Sequence, residues 1–99
     1  MNRKPGFEWD DIKDLQNEQK HGVSFYTAQY AFFDLNRIIL EDDSHSNSQE
    51  VRFFCLGYDE LKHNILTVRF TYRVHAIRIF GAGYWRKGRK IYENKNSIL

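Results

Sequence analysis

The sequence predicts an α+β fold in which two N-terminal helices precede an antiparallel sheet of about four strands and a last helix follows it. Three observations carry this prediction. Helix-capping signals occupy the first third of the chain, apolar and polar residues alternate in the middle, and a basic segment with helical spacing comes last. Ninety-nine residues suffice for a single domain with a real core, so residues 1–99 are expected to form one domain.

The first predicted helix has clear ends. Residues 6–9 are expected to be a short strand or an extended anchor, and Asp10 or Asp11 then caps a helix that runs to about Lys20. Gly22 stands where a left-handed helix terminator belongs.

The apolar face of this first helix is thin and consists mainly of Ile12 and Leu15. Ser24 is the expected cap of a second, more buried helix. Its shared apolar face comprises Phe25, Ala28 and Phe32.

Two strands and an exposed loop are predicted in the next part of the chain. Residues 37–40 form a short apolar strand, and the small polar residues 44–48 form an exposed, mobile loop. Residues 50–58 contain a continuous apolar run, which is typical of a strand covered on both faces.

The alternation within residues 66–80 predicts a hairpin that turns at Arg73 and Val74. Two arginines, Arg69 and Arg78, then face each other across the sheet. Like charges placed opposite one another are destabilising, so either another group separates the two arginines or this surface receives an anion. The register pairs Phe70 with Ile77, Val68 with Ile79, and Arg69 with Arg78.

Residues 81–83, Gly-Ala-Gly, are predicted to break the sheet. Residues 84–95 then form the last helix, which is basic on one side. Its opposite side carries Trp85, Gly88 and Tyr92.

The positions of the charged residues are more informative about binding partners than the net charge of +2. The segment Arg69 to Lys90 contains no acid and seven Lys or Arg residues, which predicts a basic surface. The single cysteine, Cys55, lies in an apolar run and is expected to be a core residue. Neither a signal peptide nor a run of ~20 apolar residues is recognisable, so a cytoplasmic protein without a membrane segment is predicted.

Several enzyme classes are disfavoured. The four histidines are scattered without ligand spacing, and no dinucleotide loop, phosphate loop or nucleophile elbow is recognisable. No metal and no cofactor are therefore expected.

The candidate site is a group of basic residues on adjacent strands with tyrosines and a basic helix beside it. Guanidinium groups match phosphate oxygens and stay charged, so the expected ligand is RNA. The strand residues are Arg52, Arg69, Arg73, His75 and Arg78, and the flanking residues are Tyr58, Tyr72, Arg86, Lys87, Arg89 and Lys90.

RNA cleavage without a metal needs positive charge on the developing phosphorane and groups that move protons. His75 is the conventional titrating group, with Tyr58, Tyr72 or Glu50 as weaker candidates. The alternatives stay open. Arginines on a sheet are most often merely solvated, and the same surface could belong to a non-catalytic module that binds RNA or an acidic protein segment.

The order of short motifs resembles the BrnT-like toxins of bacterial type II toxin–antitoxin pairs. The motifs span nearly the whole chain. They are Phe7-Glu8-Trp9-Asp10 with Lys13, Lys20-His21-Gly22-Val23-Ser24-Phe25 with Ala28, Phe32-Phe33-Asp34, Glu50-x-Arg52-Phe53, Leu56-Gly57, Thr71-Tyr72-Arg73, Ile77-Arg78-Ile79 and Arg89-Lys90-Ile91-Tyr92-Glu93.

This resemblance implies a RelE-like fold and an RNA-cleaving activity that arrests translation. It also implies neutralisation by a cognate, small DNA-binding antitoxin (BrnA-like), through which alone the toxin would contact DNA. The residues it implicates in toxicity are Arg52, Arg73 and Arg78.

One segment departs from the family pattern. The family commonly has Ser-Ala-Arg where this chain has Gly81-Ala82-Gly83, so a basic residue is missing. Either Arg86 supplies the charge from the helix, or the toxin is weakened or inactive.

Overall fold

The computed structural model describes residues 6–96, and the α+β class is confirmed. The helices are α1 (Asp11–His21), α2 (Phe25–Ala28) and α3 (Arg86–Lys95). The strands are β1 (Phe7–Glu8), β2 (Ile38–Glu41), β3 (Arg52–Asp59), β4 (Asn64–Tyr72) and β5 (Ile77–Gly83). A 3₁₀ segment, Gln29–Phe33, continues α2, and a second, Asp43–His45, follows β2. Among the described residues, no helix has the length and apolar character needed to cross a membrane.

The strands form one mixed sheet in the order β1-β5-β4-β3-β2. Strands β2 to β5 are antiparallel to their neighbours, whereas β1 runs parallel to β5 and pairs Phe7 with Ile77. The predicted sheet of about four antiparallel strands therefore lacked its fifth, parallel member. Parallel partners are joined by long connections, so no local pattern reveals the pairing.

Local capping chemistry fixes α1 as the sequence predicted. The Asp10 carboxylate accepts hydrogen bonds from the backbone N–H groups of Ile12 (2.8 Å) and Lys13 (3.2 Å). The bond from Lys13, followed by that from Ile12, lowers the pKa of Asp10. At the other end, Gly22 adopts the left-handed conformation with φ 73°.

The predicted inner face of α1 is wrong. Ile12 and Leu15 are 67% and 59% exposed, whereas Asp14 is buried. The Asp14 carboxylate accepts a hydrogen bond from the backbone N–H of Phe25 at 2.8 Å, so it caps the chain entering α2. A buried acid with such a partner is stable, but apolar periodicity cannot detect it.

The sheet has two unlike faces. The covered face packs under α2 and its 3₁₀ extension, where Phe25, Ala28 and Phe32 are buried as predicted. The open face carries α3 over one half only, where a smaller cluster forms. Strand β3 contributes to both, which confirms the prediction of a strand covered on both sides. Its residues are Phe53 and Cys55 on the covered face and Phe54 and Leu56 on the open face.

Helix α3 begins at Arg86, with Gly88 and Tyr92 buried and Trp85 still 36% exposed. The Tyr92 hydroxyl donates a 2.6 Å hydrogen bond to the Asp34 carboxylate. Desolvation would raise the pKa of Asp34, but the hydroxyl of Tyr92 and two backbone N–H donors outweigh it, so that pKa is lowered. This bond therefore ties α3 to the segment before β2.

The predicted hairpin exists, but its register is wrong. The turn lies at Val74 and His75, and the partner of Phe70 is two residues further along β5 than predicted. The bulge at Phe80 adds a third residue beyond Phe70, so Arg69 lies opposite Gly81 instead of Arg78. A two-residue slip keeps every side chain on its face, so the hydrophobic pattern cannot distinguish the two registers. The observed pairs include Phe70 with Ile79, Thr71 with Arg78, and Tyr72 with Ile77.

Residues 81–83 do not break the sheet, as predicted from their glycines, but complete β5. A side chain at Gly81 would meet the Arg69 guanidinium, and one at Gly83 would meet the Trp85 ring. The glycines thus leave room for two large side chains of the open face.

Candidate functional site

A pocket of about 300 Å³ lies on the half of the open face that α3 leaves uncovered. Its walls come from α1, from strands β3 to β5, and from the 3₁₀ turn after β2. Four of its side chains are Lys or Arg, and one is an acid, so the pocket is basic. It is lined by Lys13, Gln16, Asn17, Lys20, His21, Asp42, His45, Arg52, Arg69 and Phe80.

Arg69 forms part of the pocket floor. The guanidinium extends over Gly81, whose missing side chain would otherwise lie 2.8 Å from Nη2. Its Nε is buried and has no hydrogen-bond partner among the described residues. Four other arginines in the described part of the chain pair with Glu side chains. A buried guanidinium nitrogen without a partner needs an explanation, and the guanidinium of Arg69 lines the pocket, where it can bind an anion.

Arg52 forms the adjacent wall. Its guanidinium lies over the Phe80 ring at 4.1 Å from the ring centre, a cation–π contact. Phe80 reaches this position because a bulge in β5 leaves it without a partner between the pairs of Arg69 and Phe70. Glu50 accepts from Arg52 Nε at 3.0 Å, which orients the guanidinium further.

Helix α1 supplies the other cations, and a single amide positions it. The Asn17 side chain donates to the Ala82 carbonyl at 2.9 Å and accepts from the Ala82 N–H at 3.1 Å. The helix is thereby held along the edge of β5, so that Lys13, Lys20 and His21 line the pocket.

The 3₁₀ turn brings a histidine–carboxylate pair to the rim. His45 Nδ1 lies 2.9 Å from Asp42 Oδ2, and the Ser44 hydroxyl donates to Asp42 Oδ1 at 3.0 Å. The side chain of Asp42 is only 4% exposed, whereas that of His45 is 50% exposed. The segment is exposed, as the sequence predicted, but these bonds give it a defined structure.

The structure separates the residues singled out by the sequence. Arg52 and Arg69 line the pocket, while Arg73 pairs with Glu50 at 3.3 Å at the end of β4. Arg78 shares the row of Arg52 across the sheet but pairs with Glu8 at 3.0 Å. His75 is exposed in the hairpin turn and does not line the pocket.

The flanking tyrosines also lie elsewhere. Tyr58 hydrogen-bonds His63 at 2.9 Å, and Tyr72 packs edge-on against Phe53 and Phe70 of the covered face. The basic residues of α3 are exposed and do not line the pocket, and Arg89 pairs with Glu93 in its own helix. They are Arg86, Lys87, Arg89 and Lys90.

Sequence reasoning missed the pocket residues Lys13, Lys20 and Asp42, and it left His45 among the scattered histidines. Each comes from a segment distant in sequence from the basic stretch. The available signal was local: an acid and a histidine three residues apart, with serine between them, in a polar connection between strands.

Other chemistry finds little support in the geometry. Within residues 6–96, no three His, Cys, Asp or Glu side chains come close enough to hold a metal ion. Cys55 is fully buried, as predicted for a core residue, and burial raises the pKa of its thiol to about 12.

A comparison with protein families yields one match. The model described as "Ribonuclease toxin, BrnT, of type II toxin-antitoxin system" matches residues 9–88. The match includes every pocket residue. No curated protein matches the chain.

Proposed function

The chain belongs to the BrnT family of ribonuclease toxins from type II toxin–antitoxin systems, and we propose that its basic pocket is where it binds and cleaves RNA. The observation that carries this proposal is Arg69, a guanidinium on the pocket floor without a described carboxylate partner. An RNA phosphate has the negative charge and the arrangement of oxygen atoms that a guanidinium binds.

The pocket provides the electrostatic part of catalysis. In the proposed complex, Arg69 and Arg52 bind the scissile phosphate and stabilise the charge that develops on its oxygens. Lys13 and Lys20 extend the positive field along α1. These cations supply that charge themselves, so the proposed reaction is metal-independent.

The remaining basic residues act on the neighbouring nucleotides in this proposal. Arg73 and Arg78 lie on the same sheet outside the pocket, and each is held by a glutamate, Glu50 or Glu8. Flanking phosphates would compete with these carboxylates for the two arginines. The exposed cations of α3 would then guide the strand electrostatically.

Membership of a type II system implies an antitoxin partner. We propose that this partner is a small, BrnA-like DNA-binding protein, that the chain contacts DNA only through it, and that unopposed RNA cleavage arrests translation in the bacterial cytoplasm. The RelE-like fold implied by the motifs stays a prediction.

The test is cleavage of an RNA oligonucleotide by the purified protein in excess chelator. We expect cleavage of RNA but not of the 2′-deoxy oligonucleotide, and an Arg52→Ala variant slowed by ~10²-fold or more. Arg37→Ala is the matched control, since Arg37 is an exposed arginine outside the pocket. Circular dichroism checks that each variant is folded.

Two results would overturn the proposal. RNA binding without cleavage at high protein excess would instead identify a binding module or a degenerate toxin. Equal losses of cleavage rate in Arg52→Ala and Arg37→Ala would show that cleavage does not depend on the pocket.

A further inference from the structure

We propose that His45 is the general base of the reaction and that Asp42 is its positioning residue. This inference rests on the proposed function and adds to it the group that takes the ribose proton. It is carried by the geometry of the 3₁₀ turn after β2.

The pair has a defined hydrogen-bond polarity. An ionised carboxylate can only accept, so at the 2.9 Å contact the Nδ1–H of His45 donates to Asp42. This bond selects the tautomer in which Nε2 carries the lone pair, and no described group hydrogen-bonds Nε2. A half-exposed imidazole at the rim thus presents a free base to the pocket.

The pair is also fixed relative to the phosphate-binding arginine. The backbone N–H of Asp42 donates to the Arg52 carbonyl at 2.7 Å, and the Arg52 N–H donates to Ser46 Oγ at 2.8 Å. Ser46 Oγ in turn donates to the Asp42 carbonyl at 2.7 Å. The turn and the start of β3 therefore form one hydrogen-bonded unit, which sets the base against the site of the phosphate before RNA arrives.

The proposed step balances as a transesterification. His45 Nε2 takes the proton of the ribose 2′-OH, and the 2′-oxygen forms a bond to the adjacent phosphorus. The bond from phosphorus to the 5′-oxygen breaks, and that oxygen takes a proton from solvent water, which the pocket mouth admits. The hydroxide left by that water takes the proton from the His45 imidazolium, which Asp42 stabilises while it exists, and the base is restored. The products are a 2′,3′-cyclic phosphate and a 5′-hydroxyl.

The other histidines are poorer candidates. His21 lines the pocket, but its ring packs edge-on against Trp85 at 5.2 Å and has no carboxylate partner among the described residues. His75 lies on the exposed hairpin turn. The charged groups that share the pocket with His45 are Asp42, Lys13, Lys20, His21, Arg52 and Arg69.

The experiment measures single-turnover cleavage of an RNA oligonucleotide against pH, from about pH 5 to pH 8, where an imidazole titrates. The wild-type rate should rise with pH and then level off. In His45→Ala the rate should fall by ~10²–10⁴-fold and should lose this rising limb of the pH profile. Added imidazole should restore part of the rate. RNA affinity should be unchanged.

Asp42→Asn tests the positioning role, because it should lower the rate while the rise of the rate with pH remains. His63→Ala is the control, since His63 hydrogen-bonds Tyr58 away from the pocket. Melting temperatures of all variants separate loss of the base from loss of the fold.

The outcomes distinguish the two proposals. If the wild type cleaves and His45→Ala keeps both rate and limb, or if His21→Ala or His75→Ala alone removes the limb, His45 is not the base although the ribonuclease assignment stands. If the folded wild type cleaves no RNA, the proposed function itself fails.

Discussion

Neighbouring residues of β4 lie in two different environments. Val68 and Phe70 point to the covered face, where both are fully buried. Between them Arg69 points to the open face and forms the pocket floor. Ile65 shares the face of Arg69 but lies beneath α3, and it is buried with Leu56 and Tyr92.

The two environments show that the helices packed on the sheet limit which side chains β4 can place at each position. Where α2 covers the sheet, β4 presents the apolar Val68 and Phe70, beneath α3 it presents Ile65 and the uncharged Thr67, and outside α3 the same face presents a guanidinium. A charge beneath a helix would have to be paired, whereas a charge in the open pocket stays available to a ligand.

The largest expected effect comes from the adjacent pair Phe70 and Arg69. Phe70→Ala should lower the free energy of unfolding by ~3–5 kcal/mol, because it empties a packed aromatic cluster. Arg69→Ala should cost far less stability but slow RNA cleavage by ~10²–10³-fold. Urea unfolding and cleavage assays measure the two quantities. Equal destabilisation by both changes would erase the distinction between the faces.

A smaller effect is expected at two glycines, Gly57 on the covered face and Gly81 on the open face. A Cβ at Gly57 would clash with the Ala31 carbonyl oxygen and lie 2.7 Å from the Ala31 Cα, so Gly57→Ala should cost ~1–3 kcal/mol of stability. At Gly81 the obstacle is the movable tip of Arg69, so Gly81→Ala should cost less stability. Displacing that guanidinium should still reduce cleavage by up to ~10²-fold. Calorimetry and the cleavage assay test this, and a reversed order of stabilities would contradict it.

The smallest effect concerns the anchor of α3. The pKa of Asp34 is lowered in the folded state, so its ionised form stabilises the fold above the ordinary value of 3.8. That stabilisation is lost as pH falls through the lowered pKa. Asp34→Asn should therefore reduce the melting temperature at neutral pH, and the gap to the wild type should narrow below pH 3.8. A gap that is the same at both pH values would mean that the charge of Asp34 does not matter.

The sequence was most informative where structure follows from neighbouring residues. The Asp10 and Gly22 ends of α1 depend on bonds within a few residues, and they were predicted correctly. The two-sided burial of β3 follows from its own apolar run. The hairpin parity also follows from the alternation of residues, but its register depends on a turn at Val74 and His75 and, beyond Phe70, on a bulge at Phe80, and the alternation identifies neither.

The site was predictable only in part, because it is assembled from distant segments. Arg52 and Arg69 lie in strands, and a charged residue among apolar strand residues is a signal that the sequence itself contains. Lys13 and Lys20 come from α1, and their place in the pocket depends on how that helix meets β5. The His45–Asp42 pair lies in a connection whose polar composition indicated only exposure.

Asn17 has a consequence for the sheet as a whole. Among residues 6–96, strand β1 pairs with the outer edge of β5 at Ile77 and Arg78, and the Asn17 amide satisfies both backbone groups of Ala82 further along. The Asn17 side chain thus makes the two hydrogen bonds to Ala82 that a neighbouring strand would otherwise make. This edge of the sheet is therefore closed to strand addition at Ala82.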